Sequence, residues 1–427
     1  MAVVSSVLSS AEQVPSDLPV DRLSSLPSNI LDIILGKLSI TEAARTCVLA
    51  KDWQYKWLCI SDFSIDYELI SPASGAANRW NALACIINRF LLHHSLSIRK
   101  FYLKAYCRPR YSAIYPWLQH LLTRDVEVLS IEELGYKQNF EMPSYLFLFE
   151  KLQCLFLKRC ALQFPSTCRG FNSLRELSFC NVLINDDELH RLILECPLLV
   201  KLKLFEMSRL EHLRISSPLL EELEIDNTIG DIMIKDSACL VSVCISDNSY
   251  SDRMMQNWRS VTCSLSSLDI LQTLVLFRNF IEILAADYAL ETYPLRNDTL
   301  SCLSLFNLRF ETLNVFRVCL SLLSSCSNIK SFQFTVEAAK GPKLITAFLM
   351  ENHGRFSFPQ LDSILVTSPA GMGCTVNFLE FLCAHSPNLK ALTIKKGGKH
   401  EMNATRVSNV LSRLTKLSPQ ASIQYQP

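Results

Sequence analysis

The chain has 427 residues, with 42 Lys+Arg against 41 Asp+Glu and a formal net charge of +1. That balance excludes a protein that holds nucleic acid or acidic lipid mainly through bulk charge. Apolar residues make up 49% and charged residues 19%, below the usual charged share of about 25%, so the chain buries a great deal and general disorder is excluded.

In chain order, residues 1–20 carry no Lys or Arg ahead of their apolar residues, which makes a poor signal peptide; they are read as a flexible tail. Residues 21–62 read as a small module of three short helices. Pro27 suits a first helical turn, where its missing N–H is not needed. Ser39-Ile40-Thr41-Glu42 has the capping-box pattern and opens the second helix. The first helix carries Ile30, Leu31, Ile33, Ile34, Leu35 and Leu38, far more than the apolar stripe of about 100° that a surface helix needs. It therefore wants apolar neighbours on two sides. Val48, Leu49, Trp53 and Trp57 are expected to face one side from within the module. A module of about 40 residues sits near the lower limit for an independent core, so the other side requires a second polypeptide or the rest of this chain. The pattern leaves both open.

Residues 63–95 read as a helical linker. Their most apolar stretch, Asn81 to Leu92, is interrupted by Asn88 and Arg89 and is too short to cross a membrane. His93 and His94 are adjacent on that helix and project in different directions, which suits a solvated or core-edge pair better than metal ligands.

From residue 96 to 345, and again in the tail, the unit apolar-x-x-apolar-x-apolar recurs. It is seen as Ile98/Phe101/Leu103, Leu152/Leu155/Leu157, Leu199/Leu202/Leu204, Leu271/Leu274/Leu276 and Leu389/Leu392/Ile394, with others between. Most neighbours are about 20 to 32 residues apart, the period of leucine-rich repeats. Leu210/Leu213/Ile215 falls midway between two units and reads as a back-face strand. In each unit the last two apolar positions are two apart, so a strand turns both inward, and only stacking of many units closes a core. The fold class is α/β: a leucine-rich-repeat solenoid with a parallel sheet on its concave face, preceded by the three-helix module. Asp186 to Leu194 and Arg317 to Leu323 have helical spacing and are expected in the outer layer. The outward strand positions line the concave face. Tyr102, Phe156, Lys201, Lys203, Phe205, Glu222, Glu224, Phe277 and Phe306 are the candidate partner-binding residues there, since exposed aromatics beside mixed charge are typical of interfaces. For any single one of them a solvated sheet surface is the simpler reading, and the partner surface is a property of the face as a whole. The basic cluster Lys395 to His400 reads as a loop after the last repeat.

The run Leu26-Pro27, Ile30, Leu31, Ile34-Leu35, Leu38, Ala43, Arg45-Thr46, Val48-Leu49, Trp53, Tyr55, Trp57 resembles the F-box of plant F-box proteins. Phe171 to Leu177, Cys196-Pro197-Leu198-Leu199 and Ser216-Ser217-Pro218-Leu219-Leu220 resemble repeat phrases of the group that adds leucine-rich repeats and an FBD segment. The tail LSRLTKLSPQASIQYQP, within residues 346–427, resembles an FBD ending. The resemblance implies an adaptor in which the F-box docks on a Skp1-like subunit of a cullin-RING ubiquitin ligase while the repeats hold an unidentified protein target. Carried over by position, Leu26, Pro27, Ile30, Leu31, Ile34, Leu35 and Leu38 form the docking ridge, and Val48, Leu49 and Trp53 support or extend it. The same residues also suit the interior of a three-helix bundle. Ala50 stands where the family often has Ser, and Ser39 where a Pro is common.

No phosphate loop, H-E-x-x-H or G-x-S-x-G motif occurs, so no catalytic residue is assigned and an enzyme is not expected. The 17 cysteines include no C-x-x-C pair and sit mostly among leucines. Neither a metal nor another cofactor is expected, and the odd count without framework spacing suits a reducing compartment, nucleus or cytoplasm.

Overall fold

The computed structural model describes residues 22–49, 51–70, 75–94, 97–105, 114–133, 140–207, 210–226, 231–246, 258–286, 295–310, 312–338, 347–349, 351, 354–368, 373–397 and 404–426. The tail expected at 1–20 lies outside them. Fourteen strands form one sheet whose spatial order is the chain order, and every adjacent pair is parallel. They are β1 (Asp62–Asp66), β2 (Lys100–Ala105), β3 (Val128–Glu133), β4 (Cys154–Lys158), β5 (Glu176–Cys180), β6 (Lys201–Phe205) and β7 (Glu222–Asp226). Then come β8 (Ser242–Ser246), β9 (Thr273–Phe277), β10 (Cys302–Arg309), β11 (Ser331–Ala338), β12 (Ser363–Ser368), β13 (Ala391–Lys396) and β14 (Ser422–Gln426). Each strand in turn adds to the same edge of the sheet, with described helices in the connections between strands, which is the architecture of a leucine-rich-repeat solenoid.

The recurring unit explains the geometry. Its first apolar residue closes a turn just before the strand: the N–H groups of Leu199, Leu220, Leu240 and Leu389 donate to the carbonyls three residues earlier. Its last two point inward, so Leu155 with Leu157 and Leu202 with Leu204 are wholly buried. After β4, β5 and β6, Arg159, Asn181 and Glu206 take positive φ of 56°, 54° and 52°. This left-handed step turns the chain out of the sheet, and each N–H donates to the last residue of the next strand (Cys180, Phe205 and Asp226). The outer layer contains the expected helices Asp186–Leu194 and Leu313–Ser325, the first capped by the Asn185 side chain, which accepts from the Glu188 N–H at 2.8 Å. The Leu210 unit supplies a back-face strand, His212–Ser216, paired with Asp231–Lys235 in a separate two-stranded sheet.

Three expectations are corrected. The region 63–95 is not a linker: β1 opens the sheet, and the helix Gly75–His93 lays Leu83, Ile87 and Phe90 into the core. The signal for that strand is a further copy of the recurring unit, Ile60/Phe63/Ile65, standing directly against the module's last turn. The module has two α-helices, α1 (Ser28–Leu35) and α2 (Ile40–Arg45), and its third helix is replaced by single 3₁₀ turns at Thr46–Val48, Lys51–Trp53 and Lys56–Cys59. Lys395 and Lys396 belong to β13 and are followed by the helix Ala404–Leu417 and β14, so the C-terminal segment continues the same sheet.

Candidate docking surfaces

Leu31 and Leu35, four residues apart on α1, point inward and are buried with Ile40, Ala43, Trp53 and Trp57. Ile30, Ile33 and Ile34, also spaced by three and four, form the opposite stripe; Ile33 is 60% exposed and Ile30 and Ile34 are each 38% exposed. Pro27, Leu38, Val48 and Leu49 are exposed as well, Val48 at 83%. Large apolar side chains from α1, the turn after it and the turn after α2 are thus left uncovered by the described residues.

This divides the ten residues named from the sequence. Leu31 and Leu35 are corrected: they lie inside and present no surface, because a two-sided helix must spend one side on its own core. Trp53, read as supporting or extending the ridge, is buried beneath it. Leu26 is half-buried and packs on that core. Val48 and Leu49 are corrected as internal partners of α1, since the 3₁₀ turn carries them outward. Ile33 and Tyr55 are exposed beside the others and were not named as site residues; the i, i+3, i+4 spacing of Ile33 was the signal for it. Ala50 lies outside the described residues.

The support beneath this ridge is specific. The Trp53 indole N–H donates to Ser24 Oγ at 2.7 Å, tying the segment ahead of α1 to the last turns, and Lys56 Nζ lies 4.8 Å from the Trp53 ring centroid. Ser39 and Glu42 complete the capping box, with Ser39 N–H to Glu42 Oε2 at 3.0 Å and Glu42 N–H to Ser39 Oγ at 3.3 Å. Hydrogen bonds from the Ser39 side chain and then its backbone hold the Glu42 carboxyl below its ordinary pKa. Beneath the module, Trp57 packs on Phe90, Phe90 on Phe63 at 4.2 Å, and Phe63 stacks on Phe101 of β2 at 5.3 Å. The two ring nitrogens of buried His94 face the carbonyl oxygens of Leu58 and Ser97. The module is therefore welded to the first repeats, through a face other than its bare ridge.

The second surface is the concave face. All nine residues named there are outward strand positions and partly exposed. The register sets Tyr102, Phe156, Lys203 and Glu224 in one row across the sheet, with Lys201 and Glu222 in the row beside it. The charges close on each other: Lys201 pairs with Glu222 at 2.9 Å, and Lys203 lies 3.7 Å from Glu176 and 4.0 Å from Glu224. Lys104 pairs with Asp66 at 2.9 Å, which raises its pKa. The Tyr102 hydroxyl donates to Glu132 at 3.0 Å; partial burial first, and that bond second, push its pKa up to about 12. Phe277 and Phe306 touch, ring centroids 5.2 Å apart. Among the described residues no cluster of His, Cys, Asp or Glu could hold a metal ion, and no helix is long and apolar enough to cross a membrane. The described cysteines are free thiols, and burial pushes those of Cys196 up to about 11 and Cys319 up to about 12.

Comparison with known proteins agrees with this architecture. A family model described as FBD-associated F-box protein At5g56370, LRR repeats, matches residues 114–276. The Arabidopsis thaliana F-box/FBD/LRR-repeat protein At1g13570 is 28% identical over 420 residues, covering 95% of this chain and 98% of that protein. F-box/LRR-repeat protein 13 of the same plant is 23% identical over 423 residues, 88% of this chain and 89% of its own length. F-box/LRR-repeat protein At3g03360, also from Arabidopsis thaliana, is 30% identical over 216 residues, 48% of this chain and 43% of its own. In its continuous repeat sheet, its two-sided opening helix and a sequence similarity running nearly end to end, this chain is similar to the plant F-box/FBD/leucine-rich-repeat proteins.

Proposed function

We propose that the chain is the substrate-recognition adaptor of an SCF-type ubiquitin ligase. Its α1 ridge docks on a Skp1-like subunit, which links it to the cullin-RING complex, and its repeats hold the protein to be modified. In this reading the chain catalyses nothing. It accelerates transfer by raising the effective concentration of a target near the charged partner. It works where its thiols stay reduced, in the nucleus or cytoplasm.

The observation that carries this reading is the bare ridge of Ile30, Ile33, Ile34, Leu38, Val48 and Leu49 on a module otherwise anchored to the solenoid. Full burial of an exposed isoleucine or leucine is worth roughly 1.5–3 kcal/mol before the cost of association. Each ridge residue supplies the share of it that is still exposed, most at Ile33, Val48 and Leu49, so the ridge acts as a group.

The test is complex formation between the purified full chain and a plant Skp1-like protein, followed by size-exclusion chromatography and calorimetry. Ile33→Glu with Val48→Glu is expected to weaken capture by about a hundredfold or more while the thermal melt stays put, because both are among the most exposed positions of the ridge. Failure of the unaltered chain to bind, or undiminished binding by the double variant, overturns the assignment. The first outcome favours a repeat scaffold outside any ligase.

A further inference from the structure

The concave face changes character halfway along. In β1 to β7, counting three outward positions per strand, twelve of twenty-one are charged, seven acidic and five lysine. In β8 to β12 none of fifteen is charged. Their apolar members include Cys244, Val275, Phe277, Cys302, Phe306 and Leu365, all partly exposed. Serines, threonines and Gln333 fill the rest. Beyond the third position, Arg278 and Arg309 share Glu337, at 2.8 and 3.1 Å, and Arg278 also lies 3.6 Å from Glu282, so two cations meet two carboxylates at that rim. The register also breaks here: β10 bulges between Leu305 and Leu308, and Asn307 takes a φ of 59° with its N–H on Thr335 Oγ1 at 2.7 Å. On the other side of β10 the regular register with β9 sets Phe306 opposite Phe277 on the concave side.

The two ends of this uncharged strip differ in sign. β7 presents Glu222, Glu224 and Asp226, with Glu206 beside them, against Lys201 and Lys203. β13 presents Lys395, exposed, with Lys396 following it. From β7 to β13 there are six strand spacings, about 29 Å at roughly 4.8 Å each, which an extended chain spans in about nine residues. Extended backbone needs partners for its N–H and C=O groups, and hydroxyls and an amide standing between apolar side chains supply them; a helix has no such need.

Resting on the reading of the repeats as the target-holding part, we infer that β8 to β12 bind an extended segment of the target laid across the strands. Its central residues are uncharged and apolar or aromatic. It carries a basic residue over the β7 acids and a carboxylate, from an acidic side chain or a chain terminus, at Lys395. A long uncharged strip disfavours any segment with a charge at its centre, which would be desolvated there without a partner, so the strip selects as well as attracts.

The experiment pans a displayed library of random nine-residue peptides against the full chain held by an N-terminal tag, with Skp1-like capture measured in parallel on the same samples. Enriched peptides are expected to lack charge at the central positions and to carry one basic and one acidic end. Val275→Lys is expected to cut their binding by at least about tenfold and leave Skp1-like capture unchanged. Lys395→Glu is expected to switch the preferred residue at the acidic end to Lys or Arg. Absence of enrichment, enrichment of peptides with charged centres, binding indifferent to Val275→Lys, or an end preference indifferent to Lys395→Glu each overturns the inference. Loss of Skp1-like capture in the unaltered chain instead removes the ligase reading and leaves the peptide result to stand or fall alone.

Discussion

Leu35 and Ile33 lie two positions apart on one short helix and are expected to answer substitution in opposite ways. Leu35 is 1% exposed and packed into the module core, so Leu35→Ala should cost about 2–5 kcal/mol of stability, read from urea unfolding. Ile33→Ala removes an exposed side chain and should shift stability by no more than about 0.5 kcal/mol while weakening Skp1-like capture. Equal destabilisation by both would mean that the ridge is covered in solution. These two roles were only half legible in the sequence. The apolar excess of α1 announced two buried sides, but which side is spent internally depends on the turn that throws Val48 outward and lets Trp53 reach Ser24. Nothing local to α1 encodes that choice.

Among the strands, the concave ladder of β1 to β4 makes stability sensitive to alkaline pH. Tyr102 loses its proton near 10.0 when unfolded and near 12 when folded, because burial and the Glu132 bond favour the neutral phenol. Folded and unfolded chains hold that proton equally below pH 10. Between 10 and about 12 only the folded chain keeps it, so this contribution to stability is lost as pH rises through the folded value. Denaturant titrations between pH 9 and 12 should therefore show a steeper decline for the unaltered chain than for Tyr102→Phe; identical slopes would refute the linkage. Strand positions themselves were plain in the sequence wherever the full apolar unit recurs. β1 carries that unit too, as Ile60/Phe63/Ile65, hard against the module's last turn; β14 lacks it, since Gln420 stands at the first apolar position ahead of Ile423 and Tyr425.

Across the whole molecule, a solenoid is stabilised by nearest neighbours, so damage should stay local. A chain shortened to start at Ser61 loses Trp57 and Leu58 from above Phe90 and Phe63. Hydrogen exchange followed by mass spectrometry is expected to show loss of protection in β1, β2 and the helix Gly75–His93, with β9 to β13 unchanged. A uniform loss along the sheet would contradict this picture. The same chain of aromatic contacts makes the opening module an extension of the solenoid, where composition and length had suggested a separate body joined by a linker.

By itself the sequence determined the repeat, the parallel sheet, the inward residues of each strand and the identity of the outward ones, because a period of two and a recurring unit are local properties that every repeat states anew. Tertiary structure alone decided which half of α1 stays bare, that the module rests on β1 and β2, and which charges of the early strands pair with one another. Those outcomes depend on contacts between residues about 20 to 40 positions apart, whose register is set only when the strands stack.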